Sequence, residues 1–128
     1  MKRIEYIVVP LLLALFPHIA FADWSKIAET NQSNQYLDRN SVKNIGGFYE
    51  AWWLMNLKPH LVQQVGFESV VGYEKIDCRK RQTLSLQKTT YNESFGEGVG
   101  NPDPNTYTWQ PSKPGGLAEN LIREICTK

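Results

Sequence analysis

Leu117-Ala118-Glu119-Asn120-Leu121-Ile122-Arg123-Glu124-Ile125-Cys126, residues 117–126, is the stretch whose reading decides the fold. Leu117, Ala118, Leu121, Ile122, Ile125 and Cys126 recur at the spacing of one helical face, and Glu119, Asn120, Arg123 and Glu124 take the other. The segment therefore reads as an amphipathic helix that carries a cysteine on its apolar stripe. Pro111 and Pro114 suit the approach to a helix start and Ser112 is placed to cap it, although Gly115-Gly116 weakens the first turn. A helix with one apolar stripe needs a second layer to bury it.

Upstream, the pattern changes from helical to alternating, with turn residues between short runs. Trp24 to Ala28 and Gln35 to Leu37 read as strands, the second closed by Asp38-Arg39-Asn40-Ser41, whose short polar side chains can bond the backbone of a tight turn. Gly46-Gly47 opens a strongly β-prone run, Phe48 to Leu57, in which the adjacent Trp52 and Trp53 must point to opposite faces. Glu68 to Cys78 and Gln82 to Tyr91 flank the basic turn Arg79-Lys80-Arg81 and read as a hairpin. The simplest register places Ile76, Cys78, Leu84 and Leu86 against one core. Phe95 to Asn105, rich in Gly, Asn, Asp and Pro, reads as a loop, and Thr106 to Gln110 as a last short strand with Trp109 inward. The order is strands first and a helix last, which predicts an α+β domain: an antiparallel β-sheet covered on one face by the C-terminal α-helix.

Lys2 and Arg3 precede an apolar run from Ile7 to Ile19, and Ala20-Phe21-Ala22 supplies small residues where a signal peptidase reads, so residues 1–22 are expected to be a cleaved signal peptide and residues 23–128 a single exported domain. Pro10 and Pro17 interrupt that run, which is shorter than the roughly 20 residues a spanning helix needs. No other stretch is apolar enough to span a membrane. The whole sequence has 128 residues with 14 Lys+Arg against 13 Asp+Glu. Losing Lys2, Arg3 and Glu5 brings the formal charge to zero, which argues against a nucleic-acid binder. Two cysteines in an exported chain, Cys78 and Cys126, read as one disulfide, stapling the helix to the sheet face that bears Ile76. Closing a loop of about fifty residues stabilises a fold by roughly 3–4 kcal/mol on the chain-entropy account. Neither cysteine sits at the expected cleavage site, so no lipoprotein cysteine is present, and the expected location is the periplasm, the medium or the cell surface.

Several features together resemble a known family. Tyr36-Leu37-Asp38 with Ser41-Val42, a strand ending in Asp77-Cys78, Tyr91 followed by Phe95-Gly96-Glu97-Gly98, and a terminal helix closing in Ile125-Cys126 are similar, in kind and order, to the surface-adhesin protein E family of Gram-negative bacteria. The resemblance covers nearly all of residues 23–128. It implies a six-stranded antiparallel sheet with a C-terminal helix held by a disulfide. It further implies an envelope protein that binds host matrix and plasma proteins, or another cell-surface macromolecule, and that can form a homodimer. An alternative of the same fold is a soluble periplasmic binding or assembly factor with no adhesive role.

The residues themselves offer little catalytic chemistry. His60 is the only histidine after residue 22; it stands beside Pro59 in an expected loop, and no free thiol remains once the disulfide forms. The carboxyl pairs Glu74 with Asp77 and Glu93 with Glu97 need burial to become acid/base groups. Gly96-Glu97-Gly98-Val99-Gly100 leads into Asn101-Pro102 rather than a helix, unlike a phosphate loop. No element carries metal-ligand spacing, so no metal and no cofactor is expected, and the chain reads as a binding protein, not an enzyme. Two features stand out as partner-binding candidates. Arg79, Lys80 and Arg81, with Lys75 and Lys88 nearby in sequence, form a basic candidate for an anionic partner. Trp52, Trp53 and Tyr73 are the aromatic candidates, because one tryptophan of the pair must lie on the sheet face opposite the core.

Overall fold

The computed structural model describes residues 22–127, so the expected signal peptide lies outside the described residues except for Ala22. The elements run β1 (Trp24–Glu29), β2 (Ser33–Asp38), a 3-10 turn (Arg39–Ser41), β3 (Lys43–Ile45), β4 (Phe48–Leu57), α1 (Pro59–Val65), β5 (Ser69–Asp77) and β6 (Gln82–Tyr91). A second 3-10 turn (Ser94–Gly96), β7 (Gly100–Pro102), β8 (Gln110–Pro111) and α2 (Leu117–Cys126) complete the chain. The strands form one sheet in the order β1-β2-β4-β5-β6-β7, with β3 beside β4 and β8 beside β6, and every pairing is antiparallel. The antiparallel sheet with a terminal helix expected from the sequence is the observed architecture.

Alternation assigns the faces. Leu37, Ala51, Trp53 and Ile76 point to one side and pack with Leu121, Ile122 and Ile125 of α2, which form the core. Burying side chains of this size stabilises by about 1.5–3 kcal/mol each, so this face provides most of the apolar free energy of folding. Polar contacts fix the helix in place: Asn120 Nδ2 donates to Gln35 Oε1 at 2.8 Å, and Arg123 Nη2 donates to the Ile27 carbonyl at 3.0 Å. Arg39 pairs with Glu124 at 2.6 Å. Cys78 and Cys126 are bonded as expected, their Cα atoms 5.6 Å apart.

Several local expectations are corrected, and the expected loop Phe95 to Asn105 holds part of the second 3-10 turn and all of β7. Leu84 stands opposite Lys75, on the face away from α2, and the buried residue of that strand is Thr83, opposite Ile76. The register of β5 and β6 shifts between Tyr73 and Glu74, where Gln87 and Ser85 are consecutive partners. Leu86 is thus the extra residue of a bulge and is 46% exposed, so it does not join the core. His60 belongs to a helix rather than a loop: Pro59 occupies the first helical positions and Gly66, at φ +84°, closes it by donating to the Val62 carbonyl. The expected strand Thr106 to Gln110 shrinks to Gln110–Pro111, which pairs with Thr83 and Gln82 alone, and Trp109 turns onto Phe48, 5.6 Å between ring centroids, on the face away from α2. Finally, Gly116 and not Ser112 is the N-cap of α2, and no side chain caps it.

Candidate partner-binding face

β4 is longer than either neighbour on its one side: β2 pairs with residues 53–57 and β3 with residues 48–50. Between them the Trp52 N–H would be left unpaired, and Ser41 of the first 3-10 turn supplies the missing acceptor at 2.9 Å while donating to the Asp38 carbonyl at 2.6 Å. Asp38 caps the same turn by accepting from the Asn40 N–H at 3.1 Å, the role its short side chain suggested. This arrangement fixes Trp52 on the face opposite α2.

There Trp52 stands across from Tyr73 with ring centroids 4.8 Å apart. Trp24 pairs with Asp38 on the adjoining strands, so Trp24, Asp38, Trp52 and Tyr73 form one row across β1, β2, β4 and β5. Burial, with the neighbouring Glu50 carboxylate, pushes the Tyr73 phenol above its ordinary value. Trp24, Asn40, Trp52 and Val71 line an open groove of about 460 Å³ along this row. On one side the next row is covered: Phe95 packs on Tyr36 at 5.3 Å, and Leu54 is fully buried beneath the second 3-10 turn. On the other side come Lys43, Glu50 and Lys75, then Phe48 with the Lys75 ammonium 4.8 Å from its ring.

The hairpin tip lies beyond Lys75. Arg79, Lys80 and Arg81 are all exposed, and the Asp77 carboxylate organises the turn by accepting from the Arg79 and Lys80 N–H groups at 3.0 and 3.1 Å. Arg79, Lys80, Phe48 and the Gly46-Gly47 turn border a second depression, of about 480 Å³. The structure thus brings Trp52, Tyr73, Lys75 and the three tip residues onto one side and one end of the sheet.

Two of the expected candidates lie elsewhere. Trp53 is 2% exposed and belongs to the core beneath α2. Lys88 stands opposite Gly72 in the ladder, on the α2 side, with its ammonium 4.4 Å from the Tyr107 ring, so it takes no part in the basic tip. Conversely, sequence reasoning missed Trp24 as a member of this candidate face. Its strand was legible, but its place in the row follows from the β1–β2 register, which no local signal encodes.

Glu74 and Asp77 do not form an acid/base couple. Asp77 organises the hairpin turn, whereas Glu74 points the other way, toward α2, where it accepts from Trp53 Nε1 at 3.0 Å and from Ser85 Oγ. His60 is exposed at the start of α1. Among the described residues no group of three His, Cys, Asp or Glu side chains is placed to hold a metal ion.

Residues 24–127 match the surface-adhesin protein E family. The chain belongs to this family. Its fold is that of Haemophilus influenzae protein E: a second crystal form of that protein superposes with a TM-score of 0.63 at 14% identity, covering 87% of this chain and 92% of the other. Protein E from non-typeable Haemophilus influenzae superposes with a TM-score of 0.58 at 15% identity, covering 87% and 80% respectively. At such identity the likeness concerns the fold alone. No curated protein matches the chain. Membership of a surface-adhesin family implies an exported or cell-surface protein, and no helix of the described residues is long and apolar enough to cross a membrane.

Proposed function

We propose that this surface-adhesin E family member is an exported binding protein that engages a host matrix or cell-surface macromolecule through the open sheet face. The observation that carries the reading is the uncovered row Trp24, Trp52 and Tyr73, flanked by Lys75 and ending at the basic tip Arg79, Lys80 and Arg81. Aromatic side chains bring much contact area at small entropic cost, and a flanking basic patch steers and orients an anionic partner. The face opposite is occupied by α2, so the aromatic row is the side on which a large partner has room to lie.

A second reading has its own support. Both cysteines of the sequence are used in the disulfide, which favours a protein without a thioether lipid, and the same face would then serve an envelope partner inside the periplasm. Protease treatment of intact cells beside release by osmotic shock separates the two. Cleavage on whole cells, or recovery from the medium, is the result expected for host recognition. Protection on whole cells with release by shock selects the periplasmic reading and excludes adhesion.

A further inference from the structure

On the opposite side of the sheet, the first turn of α2 and the segment before it stand over β4, β5 and β6 and enclose a cleft of about 440 Å³. Its walls are Trp53, Met55 and Leu117, its floor is Glu74 with Ser85, and Lys88 and Lys113 stand in its lining. We propose that this cleft binds a zwitterionic small molecule of the amino-acid or short-peptide class, with the ligand ammonium on Glu74 and its carboxylate toward Lys113 and Lys88.

The argument starts from Glu74, which is 5% exposed. A buried carboxylate is costly unless it is paired. Glu74 accepts from Trp53 Nε1 and from Ser85 Oγ, which lies 3.0 and 3.1 Å from its two oxygens. A hydroxyl has a single hydrogen, so two donors serve a group that accepts about four. Among the described residues Glu74 has no ion pair, whereas the more exposed Glu29 and Glu124 are paired with Lys26, Lys58, Arg39 and Arg123. The Lys88 ammonium lies over the Tyr107 ring and makes no ion pair with Glu74. The acid in the floor therefore lacks the cation that its burial calls for, and the cleft beside it is open.

The rest of the lining selects the remainder of the ligand. Lys88 and Lys113 disfavour a simple amine and favour one that also bears an anion. Gly116 stands at the N-cap of α2 without a capping side chain, which adds a field of the same sign at that end. Trp53 and Met55 offer an apolar wall for the body of the ligand. This site lies on the face opposite the aromatic row and stands or falls independently of the partner-binding reading.

Isothermal titration of the purified protein with free amino acids and dipeptides, each also as its N-acetyl and its C-amide derivative, tests the proposal. At least one free probe should bind saturably, and acetylation, amidation and Glu74→Gln should each weaken it by roughly tenfold or more. Lys113→Glu, an exposed change remote from the core, should weaken it as well, and Trp52→Ala on the other face should leave it unchanged. Absence of binding by every free probe, or binding that tolerates the blocked termini, overturns the proposal. Should Glu74→Gln fail to fold, the blocked probes and Lys113→Glu still decide, and binding indifferent to both overturns it.

Discussion

Trp53 lies flat over Gly72, and a β-carbon added at Gly72 would sit 2.2 Å from the indole Cζ2. The missing side chain lets the indole reach along the strand and donate to Glu74. Gly72→Ala must displace that ring, and we expect a loss of about 1–3 kcal/mol, read from urea unfolding. Trp53→Phe keeps a ring but removes the N–H from a buried acceptor and opens a small cavity, and it should cost about 2–4 kcal/mol in the same measurement. At this scale the sequence was partly legible. Alternation placed Trp52 and Trp53 on opposite faces, but which one is buried depends on the strand that brings Gly72 alongside. Leu84 and Leu86 went astray for a related reason: the bulge at Leu86 changes the parity of β6, and nothing in Leu84-Ser85-Leu86 marks it.

Among the elements, α2 was the most legible, because a ten-residue apolar stripe ending in a cysteine needs no knowledge of the partner surface. Its cross-link spans a sequence separation of 48. On the chain-entropy account Cys126→Ser, paired with Cys78→Ser, should lower stability by about 4 kcal/mol, visible as a large fall in the unfolding midpoint. α1 escaped notice although Pro59 and Gly66 are ordinary helix start and stop signals, because seven residues are too few to display a periodicity. Two acidic tethers between elements give a pH dependence. Arg39, aided by Arg123, holds the Glu124 carboxyl below its ordinary value, and Lys26 with Lys58 holds Glu29 at about 2. Both carboxyls bind protons less readily when folded, so their stabilisation is complete above the ordinary value of 4.5 and is lost as pH falls through the folded values. The melting temperature should therefore decline from pH 4.5 toward about 2, and Arg39→Ala should flatten part of that decline.

For the whole molecule, helix and disulfide occupy one face, and the other carries the aromatic row and the basic tip. The fold class was readable because strand alternation, turn residues and the two cysteines agreed; the site was not, because a cross-strand row such as Trp24, Asp38, Trp52 and Tyr73 exists only once four separate segments are in register. The basic tip should contribute mainly to association rate and should weaken with added salt, whereas the aromatic row should govern dissociation. The most direct test is surface plasmon resonance of the protein over immobilised extracellular-matrix proteins, comparing the wild type with Trp52→Ala, with the triple variant Arg79→Ala, Lys80→Ala and Arg81→Ala, and with Lys113→Ala on the helix side. We predict binding that Trp52→Ala weakens by roughly tenfold or more, that the triple variant slows in its association, and that Lys113→Ala leaves intact. Binding that both open-face variants retain unchanged, or no binding to any of these surfaces, would contradict the assignment of the open face as the recognition surface.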